Sequence, residues 1–148
     1  MTKHLPTVAR LLLGAAMFTF GLNGFLHFLP QPAPSAAGGA FLGALAATGY
    51  MFPLIKGTEV VVGALLLSGR FVPLALVLLA PVMVNILAFH ALLSPGLPLP
   101  AVLVSLQLFL AYAYREAYRG VLAAHATTAS ANVVELSHAR TAPLRHAA

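Results

Sequence analysis

The chain has 148 residues, of which 60% are hydrophobic and only 7% charged, against about 45–50% and about 25% in ordinary globular domains. Residues 11–55 and again 71–114 contain no Asp, Glu, Lys or Arg, so no charged surface is available to cover a soluble core, and a soluble globular domain is excluded. The net charge of +5 sits at the ends of apolar stretches instead of along one basic stripe, which argues against nucleic acid, and the absence of cysteine excludes disulfides, thiolate-held iron–sulfur clusters and intrinsic thiol chemistry.

A spanning helix needs ~20 apolar residues, so each uncharged run has room for about two spans and a loop. The first span is predicted over residues 8–29, stopping at Pro30-Gln31-Pro32-Ala33-Pro34, whose prolines cannot continue a helix. With Lys3, Arg10 and the small residues Ser35-Ala36-Ala37 the N-terminal segment resembles a secretory signal. Its apolar stretch exceeds the ~7–15 residues of a signal core, and it carries Asn23 and His27, so the helix is expected to be retained.

Residues 37–48 are helical in composition. Joined to the next segment they would reach ~50 Å, too long for a ~30 Å hydrocarbon core, so a short interfacial helix is predicted there, with the break at Gly49 and Pro53. The second span is predicted over 51–68, with Pro53 tolerated in the first turn, and Gly69-Arg70 forms a minimal turn. The third, over 72–93, contains Pro81 and a predicted kink. Ser94-Pro95-Gly96-Leu97-Pro98-Leu99-Pro100 is an uncharged turn before the fourth span, 101–118, which ends among Tyr112, Tyr114, Arg115, Tyr118 and Arg119 as a headgroup-level boundary. The fold class is therefore all-α: an integral membrane four-helix bundle over residues 1–122 with a short extra interfacial helix between spans one and two, followed by a flexible tail over 123–148. The connections 30–49 and 94–100 lack Lys and Arg, whereas the N-terminus, the Gly69-Arg70 turn and the Arg115–Arg119 end carry them, which predicts both termini on the cytoplasmic side of a bacterial inner membrane.

Ionisable residues inside a span cost ~2.5–3.5 kcal/mol each on insertion scales, so each asks for a reason. Lys56 and Glu59 lie three residues apart on one helix face and can pair. Counted from Arg70, Glu59 lies ~16 Å deep, while Lys56, at ~21 Å, can snorkel outward; Gly63 sits one turn below on the same face and lets a neighbouring helix approach. Asn23 and His27 in span one and Asn85 and His90 in span three fall at comparable depth. The six residues Asn23, His27, Lys56, Glu59, Asn85 and His90 are the candidate pocket-lining set in the outer half of the bundle. The five-residue spacing of Asn85 and His90 turns them ~140° apart on an ideal helix. The plainer alternatives are that Asn23, Asn85 and Gln107 are interhelical glue and the histidines ordinary interface residues. A b-type haem between His27 and His90 would rest on two lone histidines at unequal depth, and a metal held by His27, Glu59 and His90 lacks ligand spacing, so no metal is expected. No nucleophile triad, phosphate loop or carboxylate pair occurs, and no self-contained catalytic motif is visible.

Arg10-Leu-Leu-Leu-Gly14, Gly57-Thr-Glu59-Val-Val-Val-Gly63-Ala-Leu-Leu-Leu-Ser-Gly69 and Pro81-Val-Met-Val-Asn85-Ile-Leu-Ala-Phe-His90 resemble the DoxX family of small four-span membrane proteins, as do Gly21-Leu22-Asn23-Gly24-Phe25 and Ala47-Thr48-Gly49-Tyr50. The likeness runs over residues 10–122. It implies a four-helix membrane bundle in a family where some members are subunits of thiosulfate:quinone oxidoreduction or of redox-defence assemblies, and where others assist assembly or export. The expectation that follows is a membrane subunit supporting redox or quinone-linked chemistry, with a quinone as the possible cofactor. A partner membrane or redox protein, or self-association, would complete it within the lipid bilayer. The alternatives are a small-solute transporter or exporter, for which the Asn…His echo between spans one and three is a faint repeat signal, and a membrane-protein assembly factor without catalysis of its own.

Overall fold

A computed structural model describes residues 4–125. The elements are five α-helices: α1 (Leu5–Leu26), α2 (Ala36–Ala47), α3 (Met51–Ser68), α4 (Val72–Leu92) and α5 (Pro98–Ala113), followed by a 3₁₀ turn at Arg115–Tyr118. Among the described residues there is no strand. The chain divides into two units, Met1–Arg115 and Glu116–Ala148. The bundle lies within the first; in the second, Arg119 pairs with Glu116 at 2.7 Å on the surface. Most of the predicted tail, residues 126–148, lies outside the described residues.

Three of the helices, α1, α3 and α4, are long and apolar enough to cross a membrane. The fourth predicted span is present as a shorter helix. It starts earlier, at Pro98, because proline is tolerated where the first-turn amides have no partner anyway. It ends at Ala113, where the Tyr114 amide bonds back to the Leu110 and Tyr112 carbonyls and the chain tightens into the 3₁₀ turn. Its 16 residues rise ~24 Å, short of a ~30 Å core.

The helices close a ring in which α1 packs on α3, α3 on α4, α4 on α5 and α5 on α1. The α1–α3 contact is the most extensive, and glycine makes it so. A Cβ added at Gly63 would stand 2.7 Å from the Phe18 Cα, a backbone atom that cannot yield. Gly14 faces Leu66 and Leu67, and Gly21 faces Glu59 and Val60, so the two helices run antiparallel in one continuous register. Small residues allow this approach, and in lipid the gain is dispersion between backbones, because hydrocarbon tails are as apolar as leucine. Leu13 and Met17 from α1, Val62 and Leu66 from α3, Leu79 and Met83 from α4 and Leu110 from α5 are sealed inside.

The register defines two ends. At the basic end, Arg10 donates to the Leu66 carbonyl and, at 3.2 Å, to the Leu67 carbonyl, so a cation from α1 covers the orphan acceptors where α3 stops. At the uncharged end, Ser35 caps α2 by accepting from the Gly38 amide at 3.0 Å while its hydroxyl donates to the Leu93 carbonyl after α4. Phe41 of α2 lies against Phe89 of α4, with ring centroids 5.9 Å apart. The short second helix is thus tied across this end by one hydroxyl and one ring pair.

Candidate functional site: the Lys56–Glu59 pair

The i, i+3 spacing on α3 places the Lys56 ammonium 3.0 and 2.9 Å from the two Glu59 carboxylate oxygens. The environments of the two partners differ. Glu59 is 1% exposed, turned into the α1–α3 contact, whereas the Lys56 side chain keeps 21% exposure. The lysine reaches back along the surface because α1 has no side chain at Gly24: a Cβ there would stand 3.1 Å from the Lys56 Cε and closer still to its Cγ and Cδ. Its ammonium also lies 5.9 Å from the Phe52 ring centroid, within cation–π range. The carboxylate has room for about four hydrogen bonds, and among the described residues Lys56 is the one partner that reaches it. A buried anion is therefore held by a single cation that itself touches the surface.

The other four candidates are placed elsewhere. Asn23 is buried beside α3, but its carboxamide is used locally, accepting from the Leu29 amide at 2.6 Å and donating to the Leu29 carbonyl at 3.4 Å. That clamp ends α1 at Leu26, three residues before the predicted end of span one. His27 becomes an exposed left-handed C-cap at φ 52°, its amide bonded to the Asn23 carbonyl. Asn85 lies on the outward face of α4 and is exposed. His90 turns its Nδ1 to the Ile86 carbonyl, 2.9 Å away, and sets its ring edge-on to Phe89. No hydrogen bond joins any of the four to the Lys56–Glu59 pair, and among the described residues no three His, Asp or Glu side chains gather closely enough to hold a metal ion.

Three residues outside the candidate set make side-chain hydrogen bonds to distant backbone. Gln107, 7% exposed, donates to the Leu76 carbonyl at 3.0 Å and links α5 to α4, the glue role its intramembrane position suggested. Arg10 and Ser35 were visible only as a charge marker and a small residue; their carbonyl acceptors come from segments more than fifty residues away in sequence. Two concave regions lie on the outer surface, one of about 250 Å³ between α1 and α5 around Val8 and Phe109, the other of about 340 Å³ between α3 and α4 around Gly57, Val61 and Leu78. Both are apolar, and neither is lined by Lys56 or Glu59.

The class of protein defined by this architecture is an all-helical membrane bundle with, among the described residues, one buried ion pair. Comparison with protein families, with characterised proteins and with solved structures finds no match to the chain.

Proposed function

We propose that the chain is a DoxX-like, multi-pass protein of a bacterial cytoplasmic membrane with both termini cytoplasmic, serving as a membrane subunit for redox or quinone-linked chemistry completed by a partner. The observation that carries this reading is the Lys56–Glu59 pair. Two ionisable groups are kept in an apolar span where a pair of leucines would insert at far lower cost, and the helix neighbours are shaped around them, with Gly21 against Glu59 and Gly24 against Lys56. The family resemblance of the segments around Glu59, Gly63 and Asn85 supports the subunit assignment, and the clustering of Arg10 with the α3–α4 turn supports the orientation.

On this reading a quinone head group would meet the chain at Lys56, whose partly exposed ammonium can donate a hydrogen bond to a carbonyl oxygen beside the Phe52 ring. When bound, a quinone supplies two-electron, two-proton chemistry. Glu59, behind Lys56, would hold or release a proton at its carboxylate as the lysine divides its hydrogen bonds between carboxylate and ligand. A second reading, an assembly factor that binds other membrane proteins, is favoured by the apolar concave surfaces between α1 and α5 and between α3 and α4.

The experiment is quinone binding to the protein in nanodiscs, followed by tryptophan-free tyrosine emission or by extraction and mass spectrometry, in the natural chain and in the double variant Lys56→Leu, Glu59→Gln. Saturable binding that the double variant loses while keeping its helix content is the expected result. No binding to the natural chain, or equal binding to both, overturns the reading, and a co-purifying membrane protein retained by the double variant supports the assembly factor instead.

A further inference from the structure

Helix α4 carries two seams. The inward one, Val72, Leu76, Leu79 and Met83, is buried in the bundle. The outward one runs through Leu74, Leu78, Pro81, Asn85, Ala88 and Leu92, alternating steps of four and three residues. Leu74 is 52%, Leu78 44% and Leu92 80% exposed, Pro81 and Asn85 are exposed, and Ala88 is partly so. Steps of three and four sustained over this length make the seam of a left-handed coiled coil, with a polar residue near its middle.

Asn85 distinguishes this seam from a merely lipid-facing surface. Its carboxamide makes no hydrogen bond among the described residues, although it offers two donors and an acceptor. Other polar groups on the spans solve the same problem locally: the Thr58 hydroxyl donates to the Leu54 carbonyl at 2.8 Å, and that of Ser105 to the Ala101 carbonyl at 2.8 Å. Hydrocarbon offers no substitute for water, and an unsatisfied amide there is destabilising. Pro81, one turn before Asn85 in the seam, has no N–H and leaves the Val77 carbonyl without its helical donor, so a second acceptor on an exposed stretch lacks its usual partner.

We infer that this seam is the interface of a parallel homodimer, in which Asn85 pairs with Asn85 of the second copy. A carboxamide is self-complementary, each group donating one N–H to the oxygen of the other. All copies insert with the same orientation, so a two-fold axis between them stands along the membrane normal, and a residue on that axis meets its own counterpart. Asn85 near the centre of the seam meets that condition, and a lone asparagine in an apolar seam sets register and pair number. The occupant is therefore a second copy of this chain, and the inference rests on the membrane bundle alone, independent of any quinone.

The chain has no cysteine, so single cysteines report proximity without background. Ala88→Cys and Leu78→Cys are expected to cross-link to dimers in native membranes under mild oxidant, and Leu108→Cys on the exposed face of α5 is not. In nanodisc or dilution-series energy transfer, Asn85→Leu is expected to weaken association roughly fivefold to tenfold, and Asn85→Gln to retain it. Equal cross-linking at 88 and 108, a monomeric natural chain, or dimers indifferent to Asn85→Leu overturns the inference. A photo-reactive group at position 85 that captures only a different protein overturns it as well.

Discussion

The α1–α3 contact and the outward face of α4 are built from similar apolar residues and end in opposite situations. In the first, Gly63 and Phe18 approach so closely that no side chain separates them, and the buried anion Glu59 has its cation within 3.0 Å. In the second, Leu78, Pro81 and Asn85 stand exposed at heptad spacing, and the Asn85 carboxamide has no hydrogen-bond partner among the described residues. Lipid does not push apolar faces together, so close packing arises where backbones can approach or polar groups demand partners. The first region has met both conditions inside one chain. The second has a polar group still waiting.

The comparison breaks most visibly at Gly63. Gly63→Leu drives a branched side chain into the Phe18 backbone, so a loss of ~3 kcal/mol or more is expected, at or beyond the upper end of overpacking effects; thermal unfolding in detergent and size-exclusion profiles would register it. Glu59→Ala, which leaves Lys56 without its partner, is expected to cost about 2–3 kcal/mol, below the full penalty for a buried pair because the lysine can turn toward the surface. Denaturant titration of helix content reads that value. The double variant Lys56→Leu, Glu59→Gln is expected to return to within about 1 kcal/mol of the natural chain, since both desolvation costs go together; a double variant as unstable as Glu59→Ala would show that the pair contributes more than its mutual neutralisation. Gln107→Leu, which removes the α5–α4 bond, is expected to lose about 0.6 kcal/mol, the average for an interhelical hydrogen bond in a membrane protein. Asn85→Leu sits at the bottom of the series: thermal unfolding of the monomer in excess detergent should not fall, because no bond within the chain is lost.

Much of the fold was legible because it depends on local chemistry. The boundaries 51–68 were fixed by Gly49, Pro53 and Gly69, and α3 has those limits. The segment 37–48 was separable by length alone, since a longer helix would overrun the bilayer, and α2 occupies it with a shift of one residue. Span one ends three residues short of its predicted limit for a physical reason: hydropathy continues through Phe28 and Leu29, but the Asn23 carboxamide bonds the Leu29 backbone beyond the end of the helix. In the candidate site, Lys56 and Glu59 were joined correctly because a three-residue separation on one helix leaves no freedom in their meeting. The grouping of Asn85 and His90 with them rested on depth, and depth says nothing about rotation.

The sequence by itself therefore determined which segments are helices, that they belong in a bilayer, where the basic end lies, and that Lys56 meets Glu59, because helix periodicity, proline and glycine positions and charge placement act over a few residues. Only the tertiary structure decided how each helix is turned about its axis: Glu59 inward, Asn85 outward, Gln107 onto Leu76, and Arg10 over the end of α3. In water an amphipathic helix announces its buried side through polarity. Helices apolar on every side, as α4 nearly is, carry no such signal, and their orientation follows from which glycine admits which backbone and which carbonyl finds a donor.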